Sequence, residues 1–397
     1  MKRPFALIGI TYLSVQAALF YLESDLAAAI LTAVCFIGTI VSLFILKNRN
    51  LRHTVLCFCL TAAFASTIFS GYNIFVKQPI VDKYSEREIY VTATVLEQPT
   101  VQYDTYRYLI ETDSINGKIE KLKICLSTIN ELNVEEFDRI SCVLPLKECT
   151  KSQMIADGAF LQASVNKNFA YIVKKTDDKP LYYQAVKIRE NFADSFEQNM
   201  SQDCASLCRA VLLGEKTALS QEIQNDFTRC GVSFLIVVSG MHLAIISSFV
   251  FLCIKKIIKN RVLRSMIMLM CAFSFMAVTG FAPSVVRAGV MLAVVYSGKM
   301  FMRKGDSLNS LGIAALILTV PNPTAVADVG MLLSFTATLG IILWARKISV
   351  YIMGKFAKLK RLKKPVEFTV NLFAVSVSAT VWTMPISVLM FGKVSVF

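Results

Sequence analysis

The sequence predicts a polytopic α-helical membrane protein of about nine spans, carrying a small, external all-β OB-like barrel domain as an insertion. Three observations predict this. The chain of 397 residues is 55% hydrophobic and only 18% charged, with a mean hydropathy of +0.54, a balance foreign to soluble domains of this size. Apolar stretches long enough, or nearly so, to cross a bilayer recur near 5–22, 26–46, 54–76, 232–254, 263–280, 285–301, 307–320, 330–345 and 367–390. Between the third and fourth of them, residues 84–175 switch to short alternating segments bounded by turn signals.

The first three stretches form an N-terminal helical region, residues 1–79. Met1-Lys-Arg before an apolar run has the look of a signal peptide. No small-x-small cleavage pattern follows, and a second apolar stretch begins at once, which predicts an uncleaved first helix. Residues 80–180 form the inserted domain. Its alternating segments are 88–97, 106–113, 121–129, 138–148 and 160–173, with the hairpin signal Asn116-Gly117 between the second and third. Five short strands in about 90 residues suit a small closed barrel. Residues 181–230 read as amphipathic helices at the outer membrane face or against the bundle: Ile188, Phe192 and Phe196 recur at helical spacing, and Ser220 stands where an N-cap belongs. Residues 231–397 hold the last six stretches, of which 307–320 is short enough to be re-entrant.

Charge sets the orientation. With the N-terminus in the cytoplasm, the loops 2–3, 47–53, 255–264, 299–304 and 346–364 carry 21 Lys and Arg and no acid, whereas the short turns on the other side carry Glu23, Asp25 and Asp328 and no base. This is the positive-inside pattern, and it places residues 80–230 outside the cytoplasm. The net charge of +14 therefore reflects topology: residues 80–180 hold 13 basic and 16 acidic residues. Bulk charge is no argument for nucleic-acid binding, and the run 355–364 reads as a lipid-facing cytoplasmic anchor.

The informative positions are polar groups inside apolar stretches, which are costly and so face a partner helix or a wet cavity. In the fourth stretch Ser239, Gly240, His242 and Ser247 fall within an arc of about 160° on a continuous helix. That face lines a pore or glues helices together; spacing leaves both open. The sixth stretch is entered through Pro283 and Ser284, with Arg287 one turn inside. Pro283 restarts a helix whose N-terminus offers free N–H groups. Arg287 either pairs with phosphate or snorkels to the headgroups. Ser334, Thr336 and Thr338 read as bonding across helices, and Pro385 as a kink in the last span. In the inserted domain, Tyr103, Tyr106, Arg107 and Tyr108 form either an aromatic platform for single-stranded nucleic acid or part of the barrel packing.

Other chemistry is not signalled. The 11 cysteines are scattered. Cys57/Cys59 and Cys204/Cys208 read as apolar fillers, and a disulfide among Cys125, Cys142 and Cys149 is left open. The two histidines, His53 and His242, make no metal motif, and the chain has no phosphate-binding Gly-rich loop and no nucleophile–base set. The expectation is no catalytic residue, no metal and no cofactor: not an enzyme.

In this order, the segments LLGEKTALSQEIQNDFTRCGVSFLIVVSGMHL (212–243), TGFAPSVVRAGVM (279–291), PNPTAVADVGMLLSFTATLG (321–340) and TMPISVLMFGKVS (383–395) resemble the ComEC-type competence proteins. The resemblance implies a plasma-membrane channel that passes single-stranded DNA into the cytoplasm in natural transformation. The implied partners are DNA, membrane lipid, a DNA receptor, a cytoplasmic ATPase and a possible second copy of the chain. Ser239, Gly240, His242, Pro283 and Arg287 match the family's motif positions. The sequence departs from the family at Phe234, where a second histidine is common, at Leu332, where glutamine is common, and around Ala156–Phe160, which lacks the usual Asn-Pro-Gly. The chain also lacks the C-terminal metallo-β-lactamase-like domain of many members, so it reads as truncated or as a fragment. Two alternatives stand beside the channel: a non-conducting remnant, and a transporter of a small anion or metabolite.

Overall fold

The computed structural model describes residues 3–22, 25–44, 48–97, 99–102, 105–165, 169–175, 179–180, 182–215, 219–230, 236, 238–302, 305–355 and 363–391. Expectations that rest on Glu23, Tyr103, Phe234, residues 231–235 or 356–362, or the chain end after Phe391 lie outside them. The described residues divide into two compact units, residues 1–68 with 301–397, and residues 69–300.

In the first unit, α1 (Pro4–Leu22) lies beside α2 (Asp25–Phe44), with α3 (Arg49–Tyr72) next along the chain. Leu51, Phe58 and Phe64 of α3 are left exposed, as on a lipid-facing helix. In the second unit a π-helical turn, Asn73–Lys77, and α4 (Gln78–Tyr84) carry the chain from α3 directly into the β domain.

That domain is β1 (Arg87–Val95), β2 (Thr100–Gln102), β3 (Thr105–Ile115), β4 (Lys118–Ile119), β5 (Lys123–Thr128), β6 (Arg139–Glu148), β7 (Leu161–Val165) and β8 (Tyr171–Lys174), with the one-turn α5 (Ser152–Ala156) between β6 and β7. Strand order is β1-β3-β5-β7-β6, and β6 pairs back onto β1, so five strands close a barrel. Only β5 and β7 run parallel, an arrangement compatible with an OB-fold. Alternation drives closure: Ile89, Val91, Ala93 and Val95 of β1, Ile124 and Leu126 of β5, and Ile140, Cys142, Leu144 and Leu146 of β6 all point into one core. Asn116 (φ 49°) and Gly117 (φ 78°) make the two-residue turn between β3 and β4. Their left-handed conformations are those a twisted hairpin requires.

The rest of the second unit is helical: α6 (Tyr183–Asn199), α7 (Gln202–Cys208), a π turn at Arg209–Leu213, α8 (Gln221–Arg229), α9 (Gly240–Ile257), α10 (Arg261–Val278) and α11 (Pro283–Met300). Ser220 Oγ accepts from Ile223 N–H and caps α8, as the sequence predicts. The expected apolar stripe of α6 faces away from the protein: Ile188 and Phe192 are exposed, while Val186, Arg189 and Ala193 are buried.

The first unit is completed by α12 (Ser307–Thr319), a 3-10 turn at Pro323–Ala327, α13 (Val329–Gly340), α14 (Arg346–Lys355) and α15 (Lys363–Phe391). Helices α1 and α12 cross backbone to backbone: a Cβ on Gly9 would lie 2.1 Å from Gly312 O. Asn309 Oδ1 accepts from Ala6 N–H at 3.1 Å, and Arg3 pairs with Asp306 at 2.7 Å. Small residues at such a crossing replace the missing hydrophobic drive between helices in lipid.

Six helical segments among the described residues are long and apolar enough to span a bilayer: Pro4–Leu22, Arg49–Tyr84, Gly240–Ile257, Arg261–Val278, Val329–Lys355 and Val366–Met390. Helices also occupy the other three expected places, but Ala28–Ile40 and Ser307–Thr319 are short and Pro283–Met300 carries Arg287 and Lys299. Nine spans is thus more than length and hydropathy support. Two smaller expectations are corrected. Thr336 and Thr338 donate to Leu332 O and Ser334 O of their own helix, since a hydroxyl on a helix reaches the carbonyl four residues back more easily than a neighbour. Cys125, Cys142 and Cys149 are all buried free thiols.

Candidate functional site

The two polar motifs meet where α9 and α11 begin. Ser239 is not inside a span. It is the N-cap of α9, extended at φ −129°, ψ 166°, and the helix starts at Gly240. The sequence reads GVSFLIVVSGMHL as one continuous apolar run, but a serine followed three residues later by a side-chain acceptor is a helix-start signal. His242 supplies that acceptor: its Nδ1 accepts from Ser239 N–H at 3.1 Å and lies 3.1 Å from Ser239 Oγ. An accepting Nδ1 puts the ring proton on Nε2, leaving an N–H donor at the far side of the half-buried ring.

Across the junction, Ser284 Oγ donates to Val238 O at 2.7 Å. A Cβ on Gly240 would stand 2.7 Å from Ala288 Cβ, so glycine is what lets α9 and α11 touch here. Gly289 does the same for α10, where a Cβ would meet Met276 Sδ at 2.3 Å. Val238, Leu243, Ala272 and Val285 fill the space between the three helices. Ser247 is 3% exposed, on the same side of α9 as Leu243, and its Oγ has no hydrogen-bond partner among the described residues. The arc that Ser239, Gly240, His242 and Ser247 define therefore has buried Leu243 at its middle. It is the packing face of α9, which favours the helix-glue alternative for Gly240 and Ser247.

The turn into α11 is built at the end of α10. Gly280 (φ 65°) and Phe281 (φ 51°) are both left-handed; Phe281 N–H donates to Met276 O and Gly280 N–H to Ala277 O, a Schellman ending. Pro283 then opens α11 at its first position. Arg287, one turn on, is only 8% exposed.

The barrel departs from the platform alternative. Tyr108 is 1% exposed inside the core, and its Oη accepts from Leu132 N–H at 2.8 Å; burial pushes its phenol up to about 12. Tyr106 packs against the same core. Around a small cavity of about 140 Å³ stand Glu97, Glu135 and Glu136 of the barrel and Glu190 of α6, an acidic lining unsuited to phosphate. Hydrogen bonds from Lys175 and Lys179 hold Glu135 below the usual carboxylate range. No cluster of metal-ligating residues occurs among the described residues.

Residues 211–397 match the family described as "Competence protein". The match begins at the turn before α8 and takes in both helix starts. Over this stretch the chain is similar to the competence proteins. It is 20% identical over 325 residues to ComE operon protein 3 of Bacillus subtilis (strain 168), an alignment covering 80% of this chain and 41% of that protein. The chain thus spans about two fifths of that relative's length. No solved structure matches it.

Sequence reasoning missed the carbonyl of Val238, which offers no side-chain signal, and the α10 residues that Gly289 accommodates. It also left Glu215 of the LLGEK segment unassigned.

Proposed function

We propose that this chain is a channel component for DNA uptake in natural transformation, passing single-stranded DNA across the plasma membrane into the cytoplasm. The observation that carries the reading is that the family match falls on the segment whose two polar motifs converge on one junction. In this reading the N-terminus is cytoplasmic and the barrel stands outside, with the exposed Ile188–Phe192 edge of α6 resting in the outer headgroups. Gly240, Ser247 and Ser284 set the helix spacing. His242 Nε2–H, Arg287 and the start of α11 behind Pro283 offer donors to a polyanion, as a phosphate path requires. The chain itself performs no covalent chemistry. The driving force comes from a cytoplasmic ATPase, and a receptor delivers the DNA.

One observation favours the non-conducting reading. Gly240 seated on Ala288 leaves no gap between α9 and α11 at that level. The two readings separate in a host deleted for its own channel and complemented with this chain or its Arg287→Ala form. Restored transformation by the wild type, lost in the variant, supports the conduit. No restoration by protein present in the membrane rejects it for this chain alone.

A further inference from the structure

Arg189 of α6 is 95% buried and holds two carboxylates that come from different parts of the chain. One is Glu136, at the barrel corner that leads into β6. The other is Glu215, 3.0 Å from Arg189 Nε, in the turn after Leu213. Glu215 is itself shared with Arg209 at 2.9 Å. Nη1 of the same guanidinium borders the turn into α11: a Cβ on Gly280 would lie 3.0 Å from it. Burial opposes the charge on Arg189, but the attraction of Glu136 and Glu215 outweighs it and holds its pKa above the ordinary value.

An aromatic chain runs beside the ion pairs over the same path. The Phe137 and Tyr182 rings sit 5.8 Å apart, and the Tyr182 and Phe281 rings 5.3 Å apart. Phe137 (φ 70°) and Phe281 (φ 51°) are both bulky residues in the left-handed region. Such backbone persists only where its surroundings over-determine it. Here the same neighbour, Tyr182, packs on both. The strained corner of the barrel is therefore tied to α6 by charge and by ring packing, and the strained turn before α11 meets the same helix through the Tyr182–Phe281 rings and the close approach of Arg189 Nη1 to Gly280.

We propose that Arg189 is a positioning residue that locks the barrel corner at Glu136–Phe137 to the Gly280–Phe281 turn, so that a displacement of the barrel is passed to the start of α11. The partners dictate the residue type. A planar fork reaches carboxylates in two directions, whereas an ammonium is a point charge that satisfies one. Loss of either carboxylate cuts one end of the link while Arg189 stays paired with the other, so the two sides lose their common tie. The relevance to DNA rests on the conduit reading; the mechanical coupling does not.

The test is amide exchange on the full chain in detergent, comparing wild type with Glu136→Gln, Arg189→Lys and Tyr182→Leu. Each substitution is expected to speed exchange both at the barrel corner 135–138 and at the distant 279–282 amides, by about tenfold or more, with strands β3 and β5 unchanged. Acceleration confined to 135–138 in Glu136→Gln, with 279–282 at the wild-type rate, overturns the proposal. So does full protection in Arg189→Lys. Tyr182→Leu keeps the test decisive should the charge variants fail to accumulate. Transformation measured in parallel separates the two ideas: coupled exchange in a protein that never restores transformation leaves the lock standing and rejects the conduit.

Discussion

Gly240→Ala tests the helix junction with a single added methyl. Gly240 is not in the left-handed region, so the backbone itself accepts alanine, and in isolation the change stabilises a helix by about 0.5–1 kcal/mol. The obstacle is across the junction. The new Cβ lies 2.7 Å from Ala288 Cβ, where ordinary contact begins at 3.4 Å, so α9 and α11 must part by about 0.7 Å. Overpacking of this kind costs about 1–3 kcal/mol. The separation also stretches the 2.7 Å hydrogen bond from Ser284 to Val238 O, worth about 1 kcal/mol. The net expectation is destabilisation by about 1–3 kcal/mol. Ala288→Gly removes the opposing methyl and costs about 1 kcal/mol alone. Added to Gly240→Ala it restores most of the loss, giving a favourable coupling of about 2–3 kcal/mol. The assay is equilibrium unfolding in detergent for the four members of the cycle. A neutral or stabilising Gly240→Ala, or an Ala288→Gly that fails to compensate, refutes the direct α9–α11 contact.

Three further outcomes are expected. Gly9→Ala places its Cβ against the Gly312 backbone, which cannot rotate away as a side chain does; membrane levels of the folded chain should fall further than for Gly240→Ala, as measured by protease-resistant protein. Tyr108 titrates near 12 in the folded barrel against 10.0 in the open chain. Because the folded value is raised, the Tyr108 contribution to barrel stability should be full below pH 10 and decline as pH climbs towards 12; denaturation midpoints across that window should show the decline, and Tyr108→Phe should reduce it. Burial pushes the Cys142 thiol up to about 12, so a maleimide should leave it unlabelled at pH 8 until denaturant opens the barrel, whereas exposed Cys204 labels at once.

Local signals carried much of the fold into the sequence. Alternation placed β1, β3, β5 and β6 within about two residues of their observed ends, because inward residues such as Val91, Ile110, Ile124 and Leu144 repeat with the pleat. Asn116-Gly117 and Ser220 were legible because turn and cap chemistry is set by the residue itself. The start of α9 was missed. An apolar run conceals a helix boundary when hydropathy is the ruler, and the capping pair Ser239–His242 was read as a polar face instead. Arg189, Glu136 and Glu215 were illegible for another reason. Their pairing spans long stretches of chain, and a buried arginine in an amphipathic helix has the pattern of a solvated one. Ser239, Gly240, His242 and Ser284 were found by residue type, but only the fold shows that they converge and that Gly240 and Ser247 face protein.

The conduit itself is tested most directly by following labelled linear DNA and a labelled small anion in parallel into cells deleted for their own channel and complemented with this chain. Transfer of label into a nuclease-protected, single-stranded cytoplasmic pool, abolished by Arg287→Ala and without increased anion flux, is the predicted result. Anion flux without DNA, or protection unaffected by the Arg287 change, contradicts it.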